Sequence, residues 1–314
     1  MDVVFVTHNR LGLTCLEELH DRGATVQAVI TRHQRESISD QTDLSGFCSA
    51  RGIPHVETDS VNEPGMKRRI ADDEPDLLFV IGWSELVDPD VLALPTVAAV
   101  GMHPAPLPRG RGRAPIAWSL IKGLDETALS MFHLVEAADA GELIGQRDIP
   151  ISIEDDAASL YEKVVVAGRE LIAEYYPSFE AGAVPRIEQD ESRATWWPRR
   201  RPHHGLIDWN QTPSAVYNWI RGQSHPYPGA FSYLGDRRVT IWEASPPTGE
   251  REFVTPGELH SRDGNVLRVG AWEGTIELRR VQVEGDETVP AGVLIEDYPF
   301  ELGDRFEPLY DRLS

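Results

Sequence analysis

Apolar residues in the first hundred positions fall in short runs separated by stretches of helix length. These runs cover residues 2–7 (DVVFVT), 24–31 (ATVQAVIT), 77–81 (LLFVI) and 97–101 (VAAVG). Residues 11–20 instead carry leucines at helical spacing, so the chain opens as strand, loop and helix. Strands that alternate with helices predict a mostly parallel sheet with right-handed crossovers. Ligands bind such sheets at the carboxyl ends of the strands, here the loops at 8–12, 82–90 and 102–113.

Helical and extended patterns continue as far as residue 182. The elements predicted there are a helix at 114–123, extended segments at 128–134 and 143–153, and a long helix at 155–182. Gly182 and Pro185 stand where a helix stop is expected. The following residues, 183–211, are polar and rich in Pro and Arg, which is typical of a connection between domains.

Short, closely spaced strands replace this pattern in the last third of the chain. A helix at 213–221 precedes a hairpin at 231–242 with Gly235 and Asp236 in its turn, and alternating runs such as 275–283 follow. Such spacing indicates a small β-barrel, and an OB-like barrel is the leading expectation. The fold class expected is therefore α/β. It comprises a Rossmann-like, mostly parallel sheet domain at 1–182, a linker at 183–205 and an OB-like β-barrel domain at 206–314.

Acidic residues dominate the charge of the chain. There are 51 Asp and Glu against 30 Lys and Arg, a formal net charge of −21, and Lys occurs only at positions 67, 122 and 163. This charge would repel nucleic acid phosphates and anionic membranes, so binding to polyanions is not expected. An acidic, lysine-poor surface suits high salt, which screens self-repulsion, and we infer a halophilic source. A GC-rich genome with a merely acidic enzyme is the alternative.

Location in the cell is inferred from the start of the chain and from its cysteines. The first residues enter a strand pattern directly, without the basic segment, apolar stretch and cleavage site of a signal peptide. No segment approaches about 18 uninterrupted apolar residues. The two cysteines, Cys15 and Cys48, lack a CxxC spacing and form no disulfide framework. We expect a soluble, cytoplasmic protein with buried free thiols and no membrane contact.

Candidate chemistry begins at His103, directly after the run at 97–101. Three prolines in the next five residues make a stiff loop, which would hold the imidazole at low entropic cost. A structural histidine is the alternative at such a position. No G-x-G-x-x-G follows the first strand and no Walker A loop is present, so dinucleotide and ATP binding lose their main support.

The segments around His103 and after it resemble a known family. HPAPLPRGRGRAPIAWSLIKG resembles the H-x-S-L-L-P-x-x-R-G-x-x-P-I-x-W signature of 10-formyltetrahydrofolate-dependent formyltransferases, and ADAGELIGQ is similar to their D-x-G segment. TWWPRRRPHHGLIDWN, HPYPGAFSYLGDRRVTIW and PGELHSRDGNVLRVGAWEGTIELRRVQVEG are similar to the linker and C-terminal barrel of methionyl-tRNA formyltransferase and, more closely, of nucleotide-sugar N-formyltransferases. The resemblance spans nearly the whole chain. It implies a formyltransferase that uses 10-formyltetrahydrofolate as co-substrate and needs no metal.

The resemblance carries the family's catalytic Asn, His and Asp onto Gly101, His103 and Asp139. In the family the His and Asp manage proton movements, and the Asn amide with the His helps to hold the oxyanion. Gly101 has no side chain to donate that bond, and losing one oxyanion donor typically costs about 2.7–4 kcal/mol. Asp139 could instead be a structural residue of the turn, because Asp before a Gly-containing turn is common. If the fold brings Asp139 to His103, its carboxylate would orient the imidazole.

The resemblance also implies binding residues. The family clamps the pterin ring with main-chain groups and apolar side chains at the loop VIGWSELV, so the expected folate residues are Ile81, Gly82, Trp83, Ser84, Leu86, Val87 and, beside Asp139, Ala138. Without the family, Trp83 would be a core residue. The amine substrate is expected at His8, Asn9 and Arg10. A cluster of Arg109, Arg111 and Arg113 suits a nucleotide diphosphate or the glutamate tail of the folate, and salt bridges to the abundant carboxylates are the alternative.

These observations predict N-formylation of a primary amine on a small molecule, with an amino sugar carried on a nucleotide as the expected acceptor. From residue 206 onward, 18 Asp and Glu face 10 Arg and no Lys, which disfavours contact with tRNA phosphates. Methionyl-tRNA formyltransferase stays an alternative, since high salt weakens that argument. Because Gly101 replaces the family Asn, a hydrolase that releases formate and a folate binder without activity are further alternatives. A homodimer is compatible with the resemblance.

Overall fold

The computed structural model describes residues 1–35, 40–249 and 251–308. The chain forms two compact units. The first contains Met1–Pro115, Glu126–Pro150 and Tyr161–Pro198, and the second contains Ile116–Asp125, Ile151–Leu160 and the chain from Arg199 onward. In the described part of the chain, no helix combines the length and the hydropathy that crossing a bilayer requires.

The first unit is built on a seven-stranded sheet. Among its described residues this unit has nine strands, of which β6 and β9 lie outside that sheet. They are β1 (Asp2–Val6), β2 (Thr25–Thr31), β3 (His55–Glu57), β4 (Leu77–Ile81), β5 (Ala98–His103), β6 (Arg111–Gly112), β7 (Glu126–His133), β8 (Leu143–Pro150) and β9 (Trp196–Trp197). The sheet order is β3-β2-β1-β4-β5-β7-β8, with the first five strands parallel and β7 and β8 antiparallel. All five residues of β4 are buried, because a central parallel strand is covered on both faces. The predicted mostly parallel sheet is confirmed.

Helices separate the parallel strands. The helices up to residue 180 are α1 (Arg10–Asp21), α2 (Ser45–Arg51), α3 (Pro64–Asp72), α4 (Pro89–Leu92), α5 (Pro115–Ile121) and α6 (Ala157–Glu180). In α1 the Asn9 side chain caps the first turn by accepting from Gly12 N, and Leu11, Leu16 and Leu19 are buried at helical spacing. The leucine pattern of this segment therefore reports the face that packs on the sheet.

The second unit contains an antiparallel sheet. Its elements are α7 (Pro213–Arg221), β10 (Ala230–Leu234), β11 (Arg237–Ala244), β12 (Leu259–Asp263), β13 (Val266–Ala271), β14 (Gly274–Val283), β15 (Thr288–Pro290) and α8 (Val293–Glu296). The order is β10-β11-β14-β13-β12, and β15 pairs with β14. The predicted hairpin is present, with Leu234 opposite Arg237 across the turn. Trp209 and Phe306 stack at 5.0 Å between ring centroids in the core of this unit. The short antiparallel strands are confirmed, and closure into an OB-like barrel stays a prediction.

Part of the polar connection after α6 belongs to the first unit. Leu143 and Ile187 form an antiparallel bridge, and β6 pairs with β9 as a two-residue parallel ladder. Between them a 3-10 turn covers Glu191–Arg193. Residues 187–197 are called the docking segment below, because their backbone pairs with the loop that follows β5.

Candidate active site

His103 closes β5, between β4 and β7 in the sheet, and only 7% of its surface is exposed. Its Nε2 lies 2.9 Å from the backbone oxygen of Gly110. A carbonyl oxygen can only accept, so Nε2 carries the hydrogen of this bond and the neutral ring keeps its lone pair on Nδ1. The loop between these two residues is tied down by the Ser130 hydroxyl, which donates to Ala105 O at 2.6 Å and accepts from Leu107 N at 3.2 Å. The stiff loop expected after His103 therefore fixes one ring nitrogen and leaves the other for chemistry.

Asp139 reaches this histidine from the turn between β7 and β8. Its Oδ1 lies 3.8 Å from His103 Nδ1, which is within ion-pair range but too long for a hydrogen bond. Its Oδ2 accepts from Gly112 N at 2.8 Å. The backbone of Asp139 has φ +55°, a left-handed conformation in which Asp and Asn are tolerated better than most residues. The fold thus brings the two residues together, as the resemblance implied.

A steric contact explains why position 141, the last of the D-x-G segment, is glycine. A Cβ on Gly141 would stand 1.7 Å from the carbonyl oxygen of His133, which no side chain could tolerate. The turn that presents Asp139 therefore requires glycine two positions later.

Gly101 lies two positions before His103 in β5. The two residues share one face of the sheet, because positions two apart in a strand point to the same side. A Cβ there would lie 2.6 Å from Leu134 Cδ2 and 3.3 Å from Phe132 Cζ. The space that the resemblance assigns to an Asn side chain is therefore bordered by apolar groups. Leu134 itself packs against an apolar cluster of buried side chains that includes Leu78, Val80 and Val87.

The loop after β4 carries most of the expected folate residues, and they differ in exposure. Ile81 and Val87 are buried, Ser84 and Leu86 are exposed, and Gly82, Trp83 and Ala138 are intermediate. Trp83 packs in the apolar cluster, donates from Nε1 to Glu85 at 3.1 Å and lies under the Arg32 guanidinium at 4.2 Å. Gly82 has φ +68°, and a Cβ there would stand 2.1 Å from Asn9 Nδ2. Trp83 is therefore partly buried against neighbouring side chains, and its predicted contact with folate stays a prediction.

The expected substrate residues of the N-terminal loop have structural partners of different kinds. Asn9 caps α1, and Arg10 pairs with Glu162. His8 is buried, and its Nδ1 has no hydrogen-bond partner among the described residues. Burial lowers the pKa of His8, Asp40 opposes this and Arg32 adds to it. His8 is therefore an uncharged buried imidazole with one nitrogen available.

The three arginines after His103 separate into two kinds. Arg109 and Arg113 are exposed, whereas Arg111 is 2% exposed. The Arg111 guanidinium donates to Glu191 at 2.6 and 2.9 Å and to Gln189 at 2.7 and 3.2 Å. These bonds hold the pKa of Glu191 below its ordinary value. For Arg111 the structure shows the salt bridge that was the alternative to phosphate binding.

Sequence reasoning missed a cavity of about 360 Å³ in the first unit. It is lined by Leu92, Pro95, Val97, Ala98, Ala99, His133, Leu134, Val135, Ala140, Gly141, Glu142 and Arg186. The Asp139 turn and the start of β5 both contribute to its wall. The apolar positions at 97–99 were visible in the sequence as part of a strand, but nothing local shows that their side chains border a cavity. Nowhere in the described ranges are three or more His, Cys, Asp or Glu side chains grouped as a metal ion would require.

Two family models match this chain. The model described as formyl transferase matches residues 2–175, and that described as formyl transferase, C-terminal domain matches residues 200–299. The chain belongs to the formyl transferase family. The first match covers more than half of the chain and contains both His103 and Asp139.

Three solved structures share the fold of this formyl transferase family member at low identity. HypX from Aquifex aeolicus, in complex with tetrahydrofolic acid, has a TM-score of 0.68 at 20% identity, over 97% of this chain and 50% of that chain. The N-formyltransferase from Helicobacter canadensis, with folinic acid and dTDP-3-aminofucose, has 0.65 at 16% identity, over 88% and 97% of the two chains. Methionyl-tRNA formyltransferase from Clostridium thermocellum has 0.57 at 17% identity, over 79% and 94%. The chain therefore spans about half the length of HypX and nearly the full length of the H. canadensis enzyme.

Proposed function

We propose that this chain transfers a formyl group from 10-formyltetrahydrofolate to the primary amine of a small substrate, an amino sugar linked to a nucleotide. The observation that carries the proposal is the approach of Asp139 to His103 at the end of β5, inside the segment that the formyl transferase model matches. A buried imidazole beside a carboxylate is the usual arrangement of a proton-transfer residue and its orienting partner.

The folate supplies the formyl carbon, which becomes bonded to the amine nitrogen as its bond to N10 breaks and the proton of the amine passes to N10. His103 Nδ1 accepts and returns that proton, because Nε2 is committed to the carbonyl of Gly110. Asp139 steadies the imidazole during the transfer, while its second oxygen is held by Gly112 N.

The cavity beside the Asp139 turn supports the folate part of the proposal. Its volume of about 360 Å³ falls in the range of about 300–1,000 Å³ found for small-molecule pockets. Apolar side chains such as Val97, Ala99 and Leu134 line it together with the backbone of Ala140 and Gly141, which suits a flat ring with polar edges. None of the folate residues predicted in the loop after β4 lines this cavity, so the pterin ring stays predicted at that loop and we propose the cavity as space for another part of the bound folate.

Charge supports the choice of acceptor. Arg109 and Arg113 are exposed on the loop that carries His103, where planar guanidinium groups can bind a diphosphate. The chain from residue 206 onward is acidic and lacks Lys, which disfavours tRNA. A structure that shares this fold was solved with dTDP-3-aminofucose, and that compound is the first acceptor to test.

The test measures folate turnover and formylated product with 10-formyltetrahydrofolate, with and without nucleoside diphosphate amino sugars and methionyl-tRNA. We expect tetrahydrofolate release that depends on the amino sugar. Release without any amine would show a hydrolase, turnover with methionyl-tRNA alone would show the tRNA enzyme, and folate binding without turnover would show a binder. Each of these three results would overturn the proposal.

Variants of the catalytic pair test the assignment of roles. His103→Gln and Asp139→Asn should each lower kcat by about 10²- to 10⁴-fold and leave a measurable residual rate. Asn retains the left-handed backbone of the turn. His55→Gln, a half-buried histidine in the edge strand β3, is the control and should keep the wild-type rate. Circular dichroism of each variant checks that the fold is intact. Full turnover by His103→Gln would refute the role given to this residue.

A further inference from the structure

The docking segment, residues 187–197, pairs with the loop that holds His103. Thr195 O accepts from Arg111 N at 3.0 Å, and the Thr195 hydroxyl accepts from Gly110 N at 2.9 Å. Trp197 O accepts from Arg113 N at 3.1 Å. A Cβ on Gly112 would stand 2.4 Å from Trp197 O, so the two backbones are in direct contact there. The backbone that binds His103 Nε2 and Asp139 Oδ2 is thus itself held by the docking segment.

Gln189 connects the same loop to the Asp139 turn. Its Oε1 accepts from Arg111 at 2.7 and 3.2 Å. Its Nε2 donates to the carbonyl oxygens of Asp139 at 2.8 Å and Gly141 at 2.6 Å. Only a side-chain amide can accept from a guanidinium at one end and donate to two carbonyls at the other. Both ends of Gln189 are therefore used, and they join two loops that sequence separates.

The chain of contacts ends on the catalytic pair. Arg111 is almost fully buried and fixed by Glu191 on one side and Gln189 on the other. Gln189 holds the backbone of Asp139 in its left-handed conformation, from which one carboxylate oxygen faces His103 Nδ1 at 3.8 Å. The other carboxylate oxygen accepts from the backbone N of Gly112, the residue after Arg111.

We propose that Arg111 and Gln189 are positioning residues, which set the placement of Asp139 against His103. Neither touches the reacting atoms in this proposal, and both act through the backbone of the Asp139 turn. The kinetic part of the test rests on the proposed function, and the structural part does not.

Gln189→Met removes the donors to the turn at similar volume, and Gln189→Glu keeps the acceptor for Arg111 but loses the donors. We expect both to lower kcat by about 10- to 100-fold, since a displacement of about 1 Å at a reacting group can cost about a hundredfold. KM for the folate and the amine should change little. The matched control is Gln282→Met in the second unit, where Gln282 accepts from Trp242 Nε1 and donates to Asp286 O. It should leave kcat unchanged.

A double-mutant cycle separates positioning from general structural damage. In the Asp139→Asn background, Gln189→Met should lower the residual kcat by less than about twofold, because the carboxylate through which it acts is already gone. An equal loss in both backgrounds would overturn the proposal, and so would a wild-type kcat for both Gln189 variants.

A crystal structure of Gln189→Met tests the inference without any activity. We expect the Asp139 turn to have left its left-handed conformation and the carboxylate to have moved from Gly112 N. An unchanged Asp139 and His103 geometry would overturn the inference. If the wild-type protein transfers no formyl group, only the proposed function is overturned. The crystal structure of Gln189→Met would still test whether Gln189 positions Asp139.

Discussion

Gly101 shares a strand face with His103, and the Leu134 side chain borders the position that a Cβ of Gly101 would take. Gly101 carries no donor, and the Leu134 side chain borders the space that a larger residue would enter. An apolar group stabilises no developing negative charge, so the oxyanion of the proposed reaction must rely on other donors. The contact between these two residues also limits any attempt to restore the family's Asn.

We expect Gly101→Asn alone to raise formyl transfer little, because its Cβ would stand 2.6 Å from Leu134 Cδ2. When Gly101→Asn is combined with Leu134→Ala, the new Asn amide has room and can donate to the oxyanion. The double variant should then transfer the formyl group up to about a hundredfold faster than Leu134→Ala alone, which corresponds to about 2.7 kcal/mol for one donor. Single-turnover rates of the four proteins make the measurement. Equal rates for the pair and for Leu134→Ala would show that no donor acts from this position.

At the scale of elements, two close backbone approaches shape the site. The ladder of β6 and β9 requires a glycine at position 112, where φ is +109° and Trp197 O is in contact. The turn between β7 and β8 requires one at position 141 against His133 O. These short elements contribute little to the core, yet they determine where the Asp139 carboxylate stands.

Gly141→Ala tests the second approach. A Cβ at 1.7 Å from a backbone oxygen forces the turn to open, so we expect a loss of about 1–3 kcal/mol in the free energy of unfolding and loss of turnover. Gly46→Ala in α2 is the control, because nothing lies within 4 Å of its Cβ position and Ala favours a helix. Urea denaturation compares the three proteins. A Gly141→Ala protein as stable as the wild type would contradict the steric reason given for the D-x-G segment.

At the scale of the whole molecule, titration and net charge control stability. Burial lowers the pKa of His133 below its ordinary 6.5, and the Pro185 carbonyl and Glu142 only partly oppose it. His8 behaves in the same way. The net charge of −21 adds self-repulsion that acts on the chain as a whole.

Acid should destabilise the folded chain through these histidines. Well above pH 6.5 His8 and His133 are uncharged in both the folded and the unfolded state, so the full stability is present. As the pH falls from 6.5 toward the lowered pKa values, the unfolded state binds protons that the folded state does not, and the free energy of unfolding decreases. The double variant His8→Gln, His133→Gln should lose less stability between pH 7 and pH 5 than the wild type, by urea denaturation. His33→Gln, an exposed position, is the control, and identical pH slopes for all three proteins would contradict the prediction.

Salt should stabilise the protein if its acidic surface reflects a halophilic source. Raising KCl from about 0.01 M to about 0.15 M shortens the Debye length from about 30 Å to about 8 Å, which screens repulsion among the carboxylates. We expect the Tm to rise over this range, measured by differential scanning fluorimetry. Sucrose at matched osmolality is the control for solute exclusion and should raise the Tm less. A Tm that is constant or falls with KCl would contradict a stability limited by net charge.

Much of the scaffold of the site was predictable because it depends on local pattern. Buried strands are continuous apolar runs, and helices show leucine spacing, so the parallel sheet and the position of His103 at a strand end follow from the order of residues. The D-x-G turn and the hairpin at Gly235 were visible for the same reason. The domain boundaries at 182 and 205 and the roles of the site residues stay predictions.

Contacts between distant positions were decided only by the tertiary structure. Arg111 looked like one of three phosphate-binding arginines, but Glu191 and Gln189, about 80 positions later, bury and pair it. Leu134 and Gly101 come from different strands, and the sequence carries no sign that one borders the other. The physical reason is that periodicity reports which face of an element a residue occupies, whereas the partner it meets there depends on how the elements pack. For this protein the sequence determined the sheet and the family, and packing determined which side chains remain available for chemistry.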